Sequence, residues 1–471
     1  MSAEGYSSIG KRIEELEREN QRLRTELERA IAEIERLKKA LEEALRSGRR
    51  QAAPYSTGKR TAHPKPPGRK ARQGVFRHRQ APPEEAVTEP IVEVPVEAIQ
   101  CPACGGPLEA QAPEVVTVTD LPERVQPKVT AYQVAVGRCR QCKRVVRGRH
   151  PAVAADQYGA TAHRLGPRVK AAAHLLHYQM GVPQRKVPAI LKELTGIEVT
   201  QSALTQDALK QAEGVLGEVY QQLRDGVRRA PVVYTDDTGW RKHGEAAHVM
   251  VFDTPQATVY QIRDQHRNEE VRELIPSDYG GVMVTDRGKS YDAEALEGVQ
   301  QQKCLDHLKR NIKAVVESKQ GRALWFGRML QDLLWQARQL WRDYRTGKAP
   351  NFSAEAERIE QEITHHLRPR FLTDPDNQRL LNGIGLQNDR GRLLLFLHQP
   401  DLVEPTNNRG ERTLRYIVIM RKVSHCSKNQ RGAEALAAFA SVLQTLRKHT
   451  QGSMINALLS PALLPRPAPS C

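Results

Sequence analysis

The chain lacks any apolar run that approaches the roughly 20 residues a helix needs to cross a bilayer. Its first residues, Met1 to Arg12, also lack the apolar segment typical of a secretory signal. Both absences argue against a membrane-spanning or secreted protein, and we expect a cytoplasmic location. At 471 residues the chain is too long for one compact core, so roughly three domains are expected.

Acidic residues are too few to balance the basic ones. The chain has 72 Lys and Arg against 55 Asp and Glu, and its formal net charge is +17. Such a charge favours an extended polyanion as partner, either nucleic acid or an anionic membrane surface. Residues 47–83 carry ten Lys or Arg and no acidic residue, and they are rich in Pro and Gly. We predict a basic linker over residues 47–95, which is either a solvated spacer or an arm that adds salt-sensitive DNA affinity.

From Ile9 to Ala44, apolar residues recur at alternating spacings of four and three. This pattern predicts a coiled coil of about five heptads. Asn20 breaks the pattern at an a-type position, where a buried amide commonly fixes the register of a two-stranded coil. We therefore predict a homodimer or higher oligomer formed through residues 9–46. A solitary charged helix that folds back on the protein is the alternative.

The seven cysteines include two C-x-x-C pairs. In a reducing compartment, such pairs favour metal binding over disulfides. Two alternating apolar stretches between the pairs, residues 115–121 and 129–136, predict a small hairpin. Four thiolates give Zn²⁺ a closed tetrahedral site of the structural kind. The sequence thus predicts a zinc ribbon whose ligands are Cys101, Cys104, Cys139 and Cys142.

The second cysteine pair is surrounded by six basic residues with no acidic residue among them. We predict that this side of the ribbon faces DNA, and the alternative is a solvated basic edge. The predicted DNA contacts here are Arg140, Lys143 and Arg144.

A helical spacing follows between His163 and Leu216, with breaks at residues 181–183 and at Gly196. Residues 187–209 have the outline of a helix-turn-helix, a motif that reads DNA with its second helix. Any small helical bundle has the same outline, so DNA binding by these helices is one of two interpretations.

The pattern changes again at Pro231, where alternating strands and helices begin. The first predicted strand ends on Asp236 and the fourth ends on Asp286. Three strands, a helix and a fourth strand open an RNase H-like sheet, in which the first strand lies beside the fourth. The two aspartates would then lie about 5 Å apart at the backbone. The predicted elements are strands over residues 232–235, 248–252, 257–262 and 281–285, and helices over residues 269–274 and 291–296.

Two carboxylates at this short distance repel each other unless a cation or a proton lies between them. Mg²⁺ prefers oxygen ligands, and two such ions stabilise both the attacking and the leaving oxygen of a phosphodiester displacement. We therefore predict two Mg²⁺ ions here, with Mn²⁺ as a substitute. Asp237 competes with Asp236 as the ligand, but strand alternation places it on the other face. Asp292 is a substitute for Asp286, and an Asx turn is the alternative role for either aspartate.

The third carboxylate of the predicted site is Glu411. In a helix that starts nearby, Glu411 shares a face with Leu414 and Val418 and points toward the core. An unpaired buried carboxylate is unfavourable, and a metal ion is the simplest partner. The alternative is a capping box with Asn408 as the N-cap, and the β-branched residues 417–419 leave the helix itself open.

Basic and polar residues near these acids are predicted to face the metal site or to meet phosphates. A satisfied core histidine is the alternative for the one histidine among them. The set is His307, Arg310, Asn408, Arg409, Arg412 and Arg415.

Together these patterns predict a multidomain chain with an α/β catalytic domain. A helical stretch over about residues 313–402 separates the second carboxylate from the third, and we predict an all-α insertion there. The predicted regions are a coiled coil (9–46), a basic linker (47–95), a zinc ribbon (96–150), a helical HTH-like region (151–225), an RNase H-like domain with its insertion (226–450) and a tail (451–471).

Five short motifs, in their order along the chain, resemble those of transposases of insertion sequence family 66. A coiled coil, a Pro/Lys-rich linker, a zinc-binding module and a DDE domain with an insertion also follow one another in that family. One departure is Asp237, where the family usually has Glu. The motifs are Tyr234-Thr-Asp236-Asp-Thr-Gly-Trp240, Thr285-Asp286, Cys304-x-x-His307-x-x-Arg310, Asn407-Asn-x-x-Glu411-Arg and Arg421-Lys422.

The resemblance implies that Asp236, Asp286 and Glu411 are the catalytic triad of a DDE transposase. It also implies double-stranded DNA as partner, both the terminal inverted repeats of the element and a target, and a bacterial, nucleoid-associated protein. Metal-dependent strand cleavage would precede strand transfer, in some elements with helper proteins. The alternatives are an RNase H-like nuclease without strand transfer and a zinc-ribbon, coiled-coil DNA-binding regulator with a degenerate triad.

Overall fold

The fold is taken from a computed structural model and divides into two compact units, Met1–Asp120 and Leu121–Cys471. The structure describes residues 16–34, 36–37, 82–98, 100–109, 112, 114–122, 125–153, 165–368, 371–424 and 426–460. Parts of the predicted coiled coil and tail, and residues 47–81 of the predicted linker, lie outside the described residues.

In the first unit, residues 16–34 form a helix, as the heptad pattern predicts. The large apolar residues of this helix are exposed, among them Leu23 and Leu27. On its polar face Arg22 pairs with Glu26 one turn away, at 3.1 Å between Nε and Oε1. The partner of the helix in a coiled coil stays a prediction.

The second unit begins with a small antiparallel pair of strands, β1 (Val136–Arg138) and β2 (Val145–Arg147). These strands lie on either side of the second cysteine pair. The predicted hairpin between the two pairs is wrong, because the described residues of 115–121 and 129–135 form no strand. The tight turn at Cys139 to Lys143 reverses the chain, and pairing therefore forms across the cysteines.

Helices fill the chain from Pro167 to Arg228, which confirms the helical pattern there. The helix Val187–Thr195 (α2) is followed by Gly196, whose φ of +68° suits a residue without Cβ. Helix α3 begins after Thr200, whose hydroxyl accepts a hydrogen bond from the Ala203 N–H. DNA reading by this pair of helices stays a prediction. The helices are α1 (Pro167–His174), continued by a π-helix (Leu175–Gln179), then α2 (Val187–Thr195), α3 (Gln201–Glu213) and α4 (Val215–Arg228).

The described part of this unit holds one five-stranded sheet with the order β5-β4-β3-β6-β7. The pairs β3–β4 and β4–β5 are antiparallel, and β3–β6 and β6–β7 are parallel. The prediction that the first strand lies beside the fourth is confirmed. The strands are β3 (Val232–Lys242), β4 (Glu245–Asp253), β5 (Thr258–Arg263), β6 (Val282–Thr285) and β7 (Gln300–Lys303).

One sequence prediction for this sheet is wrong, and one strand is missed. Strand β3 does not end on Asp236, because it pairs with β4 as far as Lys242. The turn at His243 and Gly244, which have φ angles of +55° and +82°, joins the two strands into a long hairpin. Strand β7 has no apolar pattern that predicts it, although Gln302 is fully buried.

The remaining helices surround this sheet. The predicted helix over residues 291–296 is only a short 3₁₀-helix, Glu294–Leu296. The described residues from Arg322 to His398 hold helices and no strand, as the insertion pattern predicts. The helices are α5 (Asn268–Arg272), α6 (Leu305–Val316), α7 (Arg322–Arg345), α8 (Phe352–His366), α9 (Pro375–Asp389), α10 (Leu395–His398), α11 (Asn408–Ser424), α12 (Gln430–His449) and α13 (Met454–Leu459).

Both faces of the sheet are covered by apolar side chains. Val232 and Tyr234 pack with the helices α6 to α10, and Val233 packs with α4, α11 and α12. Because side chains alternate along a strand, Asp236 lies on the face of Tyr234 and Asp237 lies on the opposite face. Among the described helices, none is both long enough and apolar enough to cross a membrane.

Candidate active site

Asp236 lies on the central strand β3, and Asp286 directly follows the end of its parallel neighbour β6. Strands β3 and β6 run parallel, with Val232 opposite Val282 and Tyr234 opposite Val284. The same register, continued by two residues, places Asp236 beside Asp286. Each carboxylate is held by a backbone N–H. Asp237 N donates to Asp236 Oδ1 at 2.9 Å, and Gly288 N donates to Asp286 Oδ1 at 2.8 Å in the Asx turn that the sequence allows.

The Asp236 carboxyl is electrostatically unusual. Burial raises its pKa to about 7, helped by the negative charges of Asp286, Asp237 and Glu411, while the N–H of Asp237 acts in the opposite direction. An ordinary aspartate has a pKa of 3.8. Three neighbouring carboxylates therefore act on the half-buried Asp236, and a proton or a divalent cation is needed to neutralise this concentration of charge.

Glu411 belongs to the first turn of α11, so the helix prediction for this segment is confirmed. Its Oε1 lies 3.8 Å from His307 Nδ1 and 3.9 Å from Arg310 Nη2. The capping-box alternative does not match the described residues, since Glu411 N donates to Asn407 O at 3.0 Å and the Asn408 side chain donates to Asp306 at 3.1 Å. The Glu411 carboxylate is thus free of a capping role.

Asn407 connects the strand that carries Asp236 to the helix that carries Glu411. Its side chain is fully buried, and Nδ2 donates to Thr235 O at 2.7 Å. Its own N–H donates to Cys304 Sγ at 3.2 Å. The sequence motif contains Asn407, but nothing in its spacing indicates this bridging role. The bridging role is visible only in the folded structure, where the Asn407 amide is fully buried and makes both contacts.

His307 and Arg310 lie on α6 and turn toward Glu411. His307 Nδ1 is buried and has no hydrogen-bond partner among the described residues. Cys304, which precedes α6, offers a sulfur within 4.8 Å of ligand atoms of His307 and Glu411. Burial raises the pKa of the Cys304 thiol, however, and its sulfur already accepts the Asn407 N–H. We assign Cys304 a packing role.

The predicted phosphate contacts on α11 fall into two groups. Arg412 and Arg415 are exposed. Arg409 instead pairs with the buried Asp253, at 2.7 Å between Nε and Oδ2, and donates to Thr254 O at 2.8 Å. Its charge is already balanced inside the fold, which does not favour a phosphate contact. Arg409 anchors α11 to the end of β4.

The two cysteine pairs form the same local turn. In the first unit, Cys101 N donates to Gly106 O at 2.9 Å and Gly105 N donates to Cys101 O at 2.8 Å. In the second, the equivalent bonds run from Cys139 N to Arg144 O at 2.9 Å and from Lys143 N to Cys139 O at 3.0 Å.

Both turns place their thiols among backbone N–H groups. Hydrogen bonds from Ala103 and Cys104 lower the pKa of Cys101, and hydrogen bonds from Cys142 and Gln141 lower that of Cys139. Thiolates are the form that binds zinc. A single zinc ion shared by all four cysteines stays a prediction. The basic residues predicted to contact DNA at the second turn, Arg140, Lys143 and Arg144, are exposed.

A cluster that the sequence does not indicate lies on the opposite face of β3. The Asp237 carboxylate is 3.4 Å from His248 Nδ1 and 3.2 Å from His266 Nδ1. The three residues come from β3, from β4 and from the loop after β5. No motif spacing relates them, because only the folded sheet brings them together.

The family model described as "Transposase IS66 family" matches residues 162–435, which include all three carboxylates of the site. A search of curated proteins found no match. The family match covers more than half of the 471 residues. The chain belongs to the IS66 family of transposases.

Proposed function

We propose that this transposase binds the terminal inverted repeats of its element and catalyses metal-dependent DNA cleavage followed by strand transfer. The observation that carries the proposal is the half-buried Asp236 carboxyl, whose pKa is raised to about 7 by burial and further by the nearby charges of Asp286, Asp237 and Glu411. A buried carboxyl in this state is unfavourable by itself. It is favourable as part of a site that takes up a divalent cation.

The residues fit magnesium. Asp236, Asp286 and Glu411 offer hard oxygen ligands, which Mg²⁺ and Mn²⁺ prefer. When bound, two such ions would activate the attacking oxygen and stabilise the leaving oxygen of a phosphodiester. The sheet joins three antiparallel strands, β5, β4 and β3, to two strands that run parallel to β3, with Asp236 on β3 and Asp286 at the end of β6. This order supports an RNase H-like domain.

The other residues of the site would orient the carboxylates and the DNA. Asn407 holds the start of α11 against β3, so that Glu411 and Asp236 keep one relative position. Arg310 is 65% exposed and lies beside Glu411, where it can meet a phosphate. Arg412 and Arg415 extend this basic surface along α11. Positioning of this kind contributes to catalysis because it reduces the entropy lost in reaching the transition state.

Two further parts of the proposal rest mainly on sequence. Matching turns and lowered thiol pKa values support one structural zinc ion bound by Cys101, Cys104, Cys139 and Cys142. The exposed apolar residues of the helix over residues 16–34 support dimerisation as a coiled coil. Helper proteins encoded by the element complete the proposed set of partners.

The test uses labelled DNA that carries the two ends of the element. The purified protein is incubated with this DNA in Mg²⁺ and in EDTA, beside the variant Glu411→Gln. Glu434→Gln is the matched control, because Glu434 is an exposed glutamate on α12. We expect Mg²⁺-dependent nicking at the ends and joined products, both abolished in Glu411→Gln alone.

Each other outcome selects one of the alternatives. Nicking without joined products would indicate a nuclease, and tight binding without any cleavage would indicate a DNA-binding regulator. Equal activity of Glu411→Gln and the wild type would exclude Glu411 as a ligand.

A further inference from the structure

The cluster of Asp237, His248 and His266 has the composition of a transition-metal site. A carboxylate oxygen and two imidazole nitrogens lie within 4.8 Å of one another. Imidazole suits Zn²⁺ and its neighbours in the first transition row, whereas Mg²⁺ prefers oxygen ligands alone. The cluster also lies on the opposite face of β3 from the carboxylate of Asp236. The chemistry and the location both separate it from the predicted magnesium site.

The distances are closer to those of a coordination shell than to those of good hydrogen bonds. Zinc–ligand bonds of about 2.0 to 2.1 Å place tetrahedral ligands about 3.3 Å apart. The two contacts of Asp237 measure 3.4 Å to His248 Nδ1 and 3.2 Å to His266 Nδ1. Hydrogen bonds between nitrogen and oxygen have their most common length at about 2.9 to 3.0 Å. Both contacts are longer than that and close to the ligand spacing around a metal ion, with Oδ2 of the carboxylate facing His248 and Oδ1 facing His266.

The surroundings hold the two imidazoles in place. The side chain of His266 is only 11% exposed, and its ring packs edge-on against Tyr291 with 5.4 Å between centroids. His266 Nε2 is buried without a hydrogen-bond partner among the described residues, so the ring orientation is set by packing and by Nδ1 facing Asp237. The ring of His248 lies 5.9 Å from that of His266. Packing therefore fixes the His266 ring, and the more exposed His248 lies beside it on the same carboxylate.

We propose that Asp237, His248 and His266 bind a zinc-like transition-metal ion behind the catalytic strand, with the fourth tetrahedral position left to water. Such an ion would fasten β3, β4 and the loop after β5 to one another. It would also stabilise the Asp237 backbone, whose N–H donates to Asp236 Oδ1 at 2.9 Å. The site thereby supports the position of a catalytic carboxylate without belonging to the triad.

The test measures metal content and metal affinity in the full chain. The protein is stripped with EDTA, equilibrated with Zn²⁺ and analysed for zinc by mass spectrometry, beside His248→Ala, His266→Ala and the control His365→Ala. His365 is an exposed histidine at the end of α8. We expect each of the first two variants to hold one equivalent of zinc less than the wild type. Because removal of even an outer partner of a metal ligand weakens binding about 10- to 100-fold, their affinity should fall at least that far.

Three further measurements separate this site from the others. Titration with Co²⁺ distinguishes it from the cysteine turns, because thiolate ligands add a sulfur-to-metal absorption band that His and Asp ligands do not. Asp286→Asn should keep the equivalent, so that failure of the catalytic proposal and failure of this one are distinguishable. His248→Gln keeps a hydrogen-bond donor for Asp237 but should still fail to hold the metal.

Equal zinc content and affinity in the wild type, His248→Ala and His266→Ala would overturn the proposal. Retention of the full zinc content by His248→Gln would likewise contradict it, because His248 would then supply a hydrogen bond to Asp237 and not a metal ligand. If His266→Ala does not fold, the test relies on His248→Ala and His248→Gln, because His248 is the more exposed of the two histidines.

Discussion

Replacement of Asp236 by Asn should stabilise the metal-free protein at neutral and alkaline pH. Asn has the shape of Asp and keeps an oxygen that accepts the Asp237 N–H, but it carries no charge. The pKa of Asp236 lies at about 7 in the fold against an ordinary value of 3.8. At about 1.36 kcal/mol for each pH unit, the ionised carboxylate costs roughly 4 kcal/mol of folding free energy. Remaining contact with water reduces this figure, and we expect about 2 to 4 kcal/mol.

The sign of the effect follows from the raised pKa. Below pH 3.8 the carboxyl is protonated in both the folded and the unfolded protein, so Asp236→Asn gains nothing. As the pH rises toward 7, only the unfolded protein readily releases this proton, and the wild type becomes less stable relative to the variant. The gain of the variant should therefore grow between about pH 4 and pH 7 to its full value of about 2 to 4 kcal/mol and then level off.

Urea unfolding in EDTA, followed by tryptophan fluorescence, measures this difference. The four tryptophans all lie between residues 240 and 341, and Trp240 is buried in the core beside β4. Asp278→Asn, at an exposed aspartate, is the control and should show no gain. Addition of Mg²⁺ should stabilise the wild type but not Asp236→Asn. A gain that does not change with pH, or no gain at all, would refute the electrostatic reasoning.

Three more predictions concern the site of the three carboxylates and the helix α11 that carries Glu411. The Mg²⁺ affinity of the wild type should fall below about pH 7 by up to about tenfold for each pH unit, because Asp236 must release its proton to bind the ion. Calorimetric titration at several pH values measures this affinity. An affinity that does not change with pH would contradict the prediction. Gly410→Ala should destabilise the protein by about 1 to 3 kcal/mol, since a Cβ there would lie 2.7 Å from the buried Asn407 Oδ1. An unchanged urea midpoint would show that the Asn407 side chain can move aside without loss of stability. The double variant Arg412→Gln and Arg415→Gln should bind DNA with a weaker salt dependence. The steepness of log affinity against log salt concentration should fall by about 0.9 for each phosphate that the variant no longer neutralises. An unchanged slope would exclude these arginines from the DNA-binding surface.

The central pair of aspartates is predictable from local pattern. The order of the strands and the side-chain alternation suffice to place Asp236 and Asp286 beside each other, although β3 continues past Asp236 to Lys242. Helical spacing also assigns Glu411 to α11 despite the β-branched residues that follow. These features depend on short stretches of chain, and short stretches are what a sequence shows directly.

Features that depend on distant partners escape this reasoning. Strand β7 is polar, and its buried side chains are satisfied only by remote groups, as when Gln302 Nε2 donates to Leu393 O at 2.9 Å. The basic spacing on α11 favours a phosphate contact for Arg409, yet its partner is Asp253, more than 150 residues earlier. The predicted hairpin between the cysteine pairs fails for a related reason, because alternation alone does not choose the partner of a strand.

Asp236, Asp286 and Glu411 are proposed to act as one metal-dependent catalytic site. The most direct test is strand transfer of end-bearing DNA in Mg²⁺ by Asp286→Asn, with Asp278→Asn as the matched control. We predict that joined products disappear in Asp286→Asn, whose fold and DNA binding remain, and persist in Asp278→Asn. Joined products at the wild-type level from Asp286→Asn would contradict a shared catalytic site.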